Sequence, residues 1–409
     1  MRNFRDFILT AACVAACLVI WELTLRAVGV RYDYSFYQAD PVLYARYRPN
    51  AEGWEVKEGE NYVKMNSFGM RDRERTLAPA AGTIRIALLG DSLEAALQVP
   101  LEKTMAQVLE QKLTADFAST GHKFEVLNFA QGGATLAQEY LMLRDHVWDF
   151  HPQIVILFVG STSVYTASRR LSGADVPFFV FSDGHLTPDP QNRLPIQSSP
   201  ADLQRHNRMS DLMNRYRLLL LVRKATQDGI ARELDKFNLR GEANPQRPYN
   251  PMDTWFPPPA KPEEVQAWQV AEGVLSLTIK DARRHGAEFW LASAGTENED
   301  DPLASEREAF FKERNYSGTY AEDRFDSFAT TENIPYIRLE PELLRYAEVN
   351  MTSVRGFFNT QPNRGHWNES GNAAVASIVA EHLRTTSNVL RLSGDPSSSA
   401  SKTSREDAQ

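Results

Sequence analysis

From residue 84 onward the chain alternates short apolar runs with longer stretches of helical period. Ile84 to Leu89, Phe124 to Phe129 and Ile154 to Val159 read as strands, the last a continuous apolar run. Thr104 to Ala118 reads as a helix with Thr104 as its N-cap, and Ala137 to His146 as a second helix. The same alternation resumes with a helix over 263–285, a strand from Glu288 to Ala292 and a helical stretch over about 303–331. A strand from Ile334 to Leu339 and a closing helix from Ser370 to Thr385 follow. Strands alternating with helices in this way predict an α/β domain with a parallel sheet covered on both faces.

The remaining segments break that rhythm. Residues 31–82 are rich in Tyr, Arg and Asn, with a turn signal at Asn66-Ser67-Phe68-Gly69, and read as an irregular or short-stranded lead-in. Pro177 to Leu186 reads as a hairpin turning at Asp183-Gly184, and Leu203 to Phe237 as a long helical region. Residues 241–262, with Pro257-Pro258-Pro259, form a Pro-rich insertion with little regular structure. The stretch 393–409 is too polar to bury a core and reads as a disordered tail. The predicted organisation is therefore 1–30, 31–82, 83–392 and 393–409.

The first thirty residues have a different character. Arg2 and Arg5 precede an uncharged run from Phe7 to Trp21, and Glu22 and Arg26 follow before Ala27-Val28-Gly29-Val30. A spanning helix needs about 20 apolar residues. This one reaches that length if Glu22 and Arg26 sit at the interface and snorkel. Basic residues ahead of the run predict a cytoplasmic N-terminus, a single pass through the inner membrane and a body in the periplasm or outside the cell. A cleaved signal peptide and a lipoprotein processed at Cys17 are the alternatives.

Charge narrows the partners. The formal net charge of 409 residues is −8 and no long basic run occurs, which argues against nucleic-acid binding. The two cysteines, Cys13 and Cys17, both lie in the N-terminal apolar run, so the body has neither disulfides nor thiolate metal ligands. His146 and His151 flank Trp148 without a carboxylate cluster, and no metal site is read there. Glu297, Glu299, Asp300 and Asp301 read as a solvated acidic loop, with calcium as the alternative. Tyr249, Trp255, Phe256 and Trp268 either form a sugar-stacking rim or pin the Pro-rich loop to the body.

Two residues carry candidate chemistry. Ser92 follows the first strand in Gly90-Asp91-Ser92-Leu93, and His366 lies in Gly365-His366-Trp367-Asn368 before the last helix. A strand-end serine and a late histidine are how several α/β hydrolytic folds build a nucleophile and its base. Together with a glycine after the next strand, these motifs resemble the SGNH/GDSL hydrolase superfamily from about Tyr44 to Leu383. Met65-Asn66-Ser67-Phe68-Gly69-Met70-Arg71-Asp72-Arg73-Glu74 also resembles the lead-in of its exported bacterial members. The resemblance implies a flavodoxin-like three-layer α/β/α sandwich and ester hydrolysis or acyl transfer without a cofactor. It implies Ser92 as nucleophile, His366 as general base, and the N–H groups of Ser92 and Gly133 as oxyanion donors.

Two positions depart from the family pattern. Thr162 stands where the oxyanion asparagine would be and is read as the third oxyanion donor through its shorter hydroxyl, and Asn363 stands where an aspartate would support the histidine and is read as its partner. Asn363 can accept a hydrogen bond but supplies no charge, so a Ser-His dyad oriented by a backbone carbonyl is the alternative. The resulting expectation is a membrane-anchored, periplasm-facing serine esterase acting on an O-acyl ester of a carbohydrate, with O-acetyl the favoured group. Alternatives are an acyltransferase of the same chemistry and a weakly catalytic polysaccharide-binding or assembly factor on a hydrolase scaffold.

Overall fold

The computed structural model describes residues 2–192, 205, 207–209, 211–212, 215–223, 225–226, 250–316, 318 and 320–394. Residues 241–249 of the insertion, among them Tyr249, lie outside them, as do the polar tail from 395 and about half of the helical region 203–237.

The N-terminal helix α1 runs from Arg2 to Ala27, and its stretch Phe4–Ala27 is long and apolar enough to cross a membrane. At about 1.5 Å per residue it spans some 36 Å. Almost none of it is buried against the rest of the chain, as suits either a membrane anchor or a signal sequence.

The lead-in forms two antiparallel hairpins. Strand β1 (Tyr37–Asp40) pairs with β2 (Tyr44–Tyr47), and β3 (Glu52–Glu55) with β4 (Asn61–Lys64). It is fastened to the body by buried polar groups. Arg75 pairs with Asp72 and with Glu110, and Asn61 donates to the carbonyls of Leu97 and Val99.

The body begins with strand β5 (Thr83–Leu89), the short helix α2 (Ser92–Ala95), helix α3 (Met105–Asp116) and strand β6 (Lys123–Asn128). Helix α4 (Leu136–Met142), strand β7 (Ile154–Val159) and helix α5 (Ser161–Tyr165) follow. The predicted hairpin is present as β8 (Phe179–Ser182) and β9 (His185–Pro188), turning through Asp183 and Gly184, both at positive φ. Beyond it lie helix α6 (Pro262–Arg284), strand β10 (Glu288–Ser293), helices α7 (Ala304–Arg314) and α8 (Tyr320–Glu332), and strand β11 (Tyr336–Arg338). Helices α9 (Glu340–Asn350) and α10 (Glu369–Thr386) complete the main layers.

Five strands form one parallel sheet in the order β11-β10-β7-β5-β6. Counted along the chain this is 2-1-3-4-5, the flavodoxin-like order. Alternate strand residues feed two cores. Ala87, Leu89, Val155 and Leu157 face α4 and α6, while Ile86, Leu88, Ile154 and Ile156 face α3 and α10. Burial of both faces explains why these strands carry continuous apolar runs instead of alternation. A third, smaller cluster joins Tyr34, Phe36, Tyr47 and Val63 of the lead-in to Ala95 and Leu97 beside α2.

Candidate active site

The strand order creates a crevice at the carboxyl ends of β5 and its neighbours β6 and β7, where open α/β sheets bind ligands. Ser92 is the first residue of α2, immediately beyond the end of β5. Asp91 caps that helix: its carboxylate accepts from Leu93 N, and Glu94 closes the capping box by accepting from Asp91 N at 3.0 Å. The sequence around Ser92 thus makes a sharp turn closed by a capping box, and the serine itself is half-buried.

The loop after β6 carries two glycines with different duties. A Cβ at Gly132 would lie 2.8 Å from the Tyr37 hydroxyl and 3.1 Å from that of Tyr47, so only glycine fits. Gly132 N donates to Tyr47 Oη at 2.8 Å, and Tyr37 Oη donates to Gly132 O at 2.6 Å. Gly133 has φ +72°, and among the described residues neither its N–H nor that of Ser92 is taken up by another protein group.

His366 reaches the same place from the loop before α10. It lines one cleft of about 430 Å³ together with Ser92, Gly132, Gly133 and residues 33–37 of the lead-in. Its Nδ1 lies 2.9 Å from Glu58 Oε2, and the same oxygen accepts the His366 backbone N–H at 2.8 Å. The ring nitrogen is close enough to pair with that oxygen but is not aligned for an ideal hydrogen bond. Ser92 and His366 share the cleft without a hydrogen bond between their side chains, a looseness common in catalytic sites without substrate.

Glu58 had no place in the sequence reading. It sits in the turn between β3 and β4, more than 300 residues from His366. The turn is clamped by Asn359, which accepts from Gly59 N at 2.7 Å and donates to the carbonyls of Val56 and Gly59. Burial raises the Glu58 carboxyl, but the hydrogen bonds and charge of His366 outweigh it and hold the group below the usual carboxylate range. A Cβ on Gly365 would fall 2.4 Å from Glu58 Oε2, so this glycine makes room for the carboxylate.

The two departing positions lie elsewhere. Asn363, at φ +59°, donates its amide to Asp301 Oδ1 at 3.2 Å, while the carboxylate beside His366 is Glu58. The physical reason is direction: a left-handed residue held by Asp301 turns its amide away from the imidazole. Thr162 lies in the first turn of α5 and is not among the residues lining the cleft.

Other expectations are corrected as well. The acidic loop is not solvated. Asp300 and Asp301 are buried, Asp300 is ion-paired with Arg355 at 2.7 Å, and Glu297 accepts from Gly365 N at 2.6 Å. It braces the histidine loop, and no group of metal-ligating residues occurs among the described residues. Trp255, Phe256 and Trp268 are fully buried core, which removes them from any sugar-stacking rim.

Beneath the serine lie two buried acids. Burial holds the carboxyls of Glu94 and Glu139 well above their usual range, and Asp91 adds to both.

A 2-1-3-4-5 parallel sheet, a serine at the end of its first strand and a histidine from the loop before the last large helix now stand together. This is the fold of the SGNH hydrolases. No protein-family model and no curated protein matches the chain. Among solved structures it is similar to the acetyl xylan esterase AlAXEase, at 14% identity and a TM-score of 0.37, covering 73% of this chain and 100% of that one. TesA is similar at 14% identity and a TM-score of 0.32, over 74% of this chain and 98% of that one. A two-domain esterase active on acetylated mannans is similar at 13% identity and a TM-score of 0.37, over 75% of this chain and half of that one.

Proposed function

We propose that the protein is a membrane-tethered, periplasm-facing serine ester hydrolase that removes an O-acyl group, above all O-acetyl, from a carbohydrate. The observation that carries this reading is the shared cleft of Ser92 and His366, with Glu58 against the far side of the imidazole. Ser92 Oγ attacks the ester carbonyl and its proton passes to His366 Nε2, the nitrogen that Glu58 leaves free. The Glu58 carboxylate favours the imidazolium that forms, the part an aspartate plays in the serine-protease triad. The N–H groups of Ser92 and Gly133 receive the oxyanion. Collapse expels the sugar hydroxyl with the proton from His366, and water then releases the acyl group from Ser92. An acceptor hydroxyl in place of that water gives acyl transfer by the same steps.

Thr162 stands outside the cleft lining, so two backbone donors carry the oxyanion. Loss of one side-chain donor costs about 10²–10³ in rate in a characterised hydrolase. The rates expected here are correspondingly modest. The cleft suits a polyol because the exposed ring of Tyr37 lies beside the polar groups of Lys57 and Gln98. The direct test is fluorophosphonate labelling of the full chain in detergent, with the modified residue located by mass spectrometry. Labelling at Ser92 that vanishes in His366→Ala is the expected result. A folded chain that stays unlabelled would instead favour the polysaccharide-binding scaffold.

A further inference from the structure

A second cavity, of about 670 Å³, opens where α1 meets the lead-in. Its wall begins at Arg26 in the last turn of α1 and continues through Val30, Arg31 and Tyr32 to Trp54 and Tyr62. Arg215 and Arg217 close the other side. Four guanidinium groups thus face two carboxylates, Glu52 and Asp211. Counting the partners just outside leaves the balance unchanged. Glu52 is paired with Lys64 and Asp211 with Arg48, while Arg26 is paired with Glu22 and Arg31 with Glu60. The site keeps an excess of two positive charges, within a chain whose formal net charge is −8. The Arg31 guanidinium lies 3.9 Å over the Trp54 ring, and its Nε is buried without a partner.

We propose that this cavity holds the anionic phosphate headgroup of a membrane lipid, bound between Arg215 and Arg31, the latter held in place by its stacking on Trp54. A guanidinium fork matches phosphate geometry. The lipid source follows from position, because the lining starts inside the last turn of the apolar helix, where a headgroup would lie. This inference rests on reading α1 as a membrane helix. Tyr34 borders both this cavity and the cleft of Ser92 and His366. A lipid held here therefore sits beside the reacting site, and an ester-bearing substrate carried on such a lipid would be delivered to it.

The test uses the full chain in dodecyl maltoside micelles, titrated calorimetrically with dihexanoyl phosphatidylglycerol. A chain that stays soluble without detergent would refute the membrane reading before any lipid is added. Saturable binding, weakened about tenfold or more by Arg31→Gln with Arg215→Gln, is the expected result. Arg215→Gln alone should give part of that loss if the double variant does not fold. Equal binding of glycerol phosphate would overturn the lipid source in favour of a soluble phosphate ester. Equal binding of dihexanoyl phosphatidylcholine would overturn the charge argument, and no binding would overturn the site itself. Fluorophosphonate labelling of Ser92 in the same preparation keeps the two readings apart, since lipid binding stands whether or not the serine is reactive.

Discussion

Glu58 keeps its negative charge where an ordinary surface glutamate would begin to lose it, because two contacts from His366 outweigh its burial. If that charge supports the imidazolium, Glu58→Gln should lower kcat about 10³–10⁴-fold, by analogy with Asp-to-Asn in the serine-protease triad. KM and the melting temperature should change little, and steady-state kinetics with an aryl acetate would measure the split. Asn363→Gly keeps the left-handed backbone and should leave kcat within about threefold. A loss as large as that of Glu58→Gln would return the supporting role to Asn363. Glu139 gives a pH signature of the opposite sign. Its carboxyl is raised by burial, then by Asp91 and Glu94, so the unfolded chain releases this proton before the folded one does. Stability contributed by the neutral carboxyl is therefore lost as pH rises above about 4.3, the unfolded value. Glu139→Gln should then raise the melting temperature more at pH 8 than at pH 4.5, by on the order of 2–4 °C. Calorimetry at the two pH values checks this, and an equal effect at both would refute it.

At the scale of elements, the site depends on a hairpin that pairs with no strand of the five-stranded sheet. The β3–β4 turn presents Glu58, and Asn359 in the histidine loop holds that turn by three hydrogen bonds. Asn359→Ala should release the turn and reduce kcat by about tenfold or more, with the global melting temperature moved by only a few degrees. Unchanged kcat would mean that Glu58 is positioned without the clamp. Element boundaries follow the same logic of local against tertiary cause. Strands β5, β6 and β7 lie within one residue of their sequence-read ends because burial on both faces writes them as apolar runs. The predicted helix over 303–331 is instead two, α7 and α8, broken where Asn315 turns left-handed at φ +53°. Tyr316 stacks there on Phe256, and such a contact leaves no periodic mark in the sequence. The predicted strand over 334–339 shortens to Tyr336–Arg338, since edge strand β11 pairs on one side only.

Across the whole molecule, the cleft has two owners. Residues beyond 83 supply Ser92, Gly133 and His366, whereas residues 33–37, Tyr47 and Glu58 come from the lead-in. A chain beginning at residue 83 should therefore fail to react with a fluorophosphonate although it keeps all three motif residues. It should also bind a hydrophobic dye, because Ala95 and Leu97 lose the lead-in residues packed on them. Labelling of the truncated chain at the full-length rate would show the lead-in to be dispensable.

Sequence alone determined what local pattern and chain order can encode. Continuous apolar runs predicted a doubly covered parallel sheet, and short motifs after two strands and before the last large helix marked Ser92, Gly133 and His366 as candidates. The N-terminal run declared a helix of membrane-spanning length. Tertiary structure decided which groups meet. It alone set Glu58 against His366, turned Asn363 toward Asp301, left Thr162 outside the cleft and buried the acidic loop under Arg355. The physical reason is that a side-chain contact across 300 residues depends on how two loops dock. That docking is held by a few hydrogen bonds with no period for a linear reading to detect.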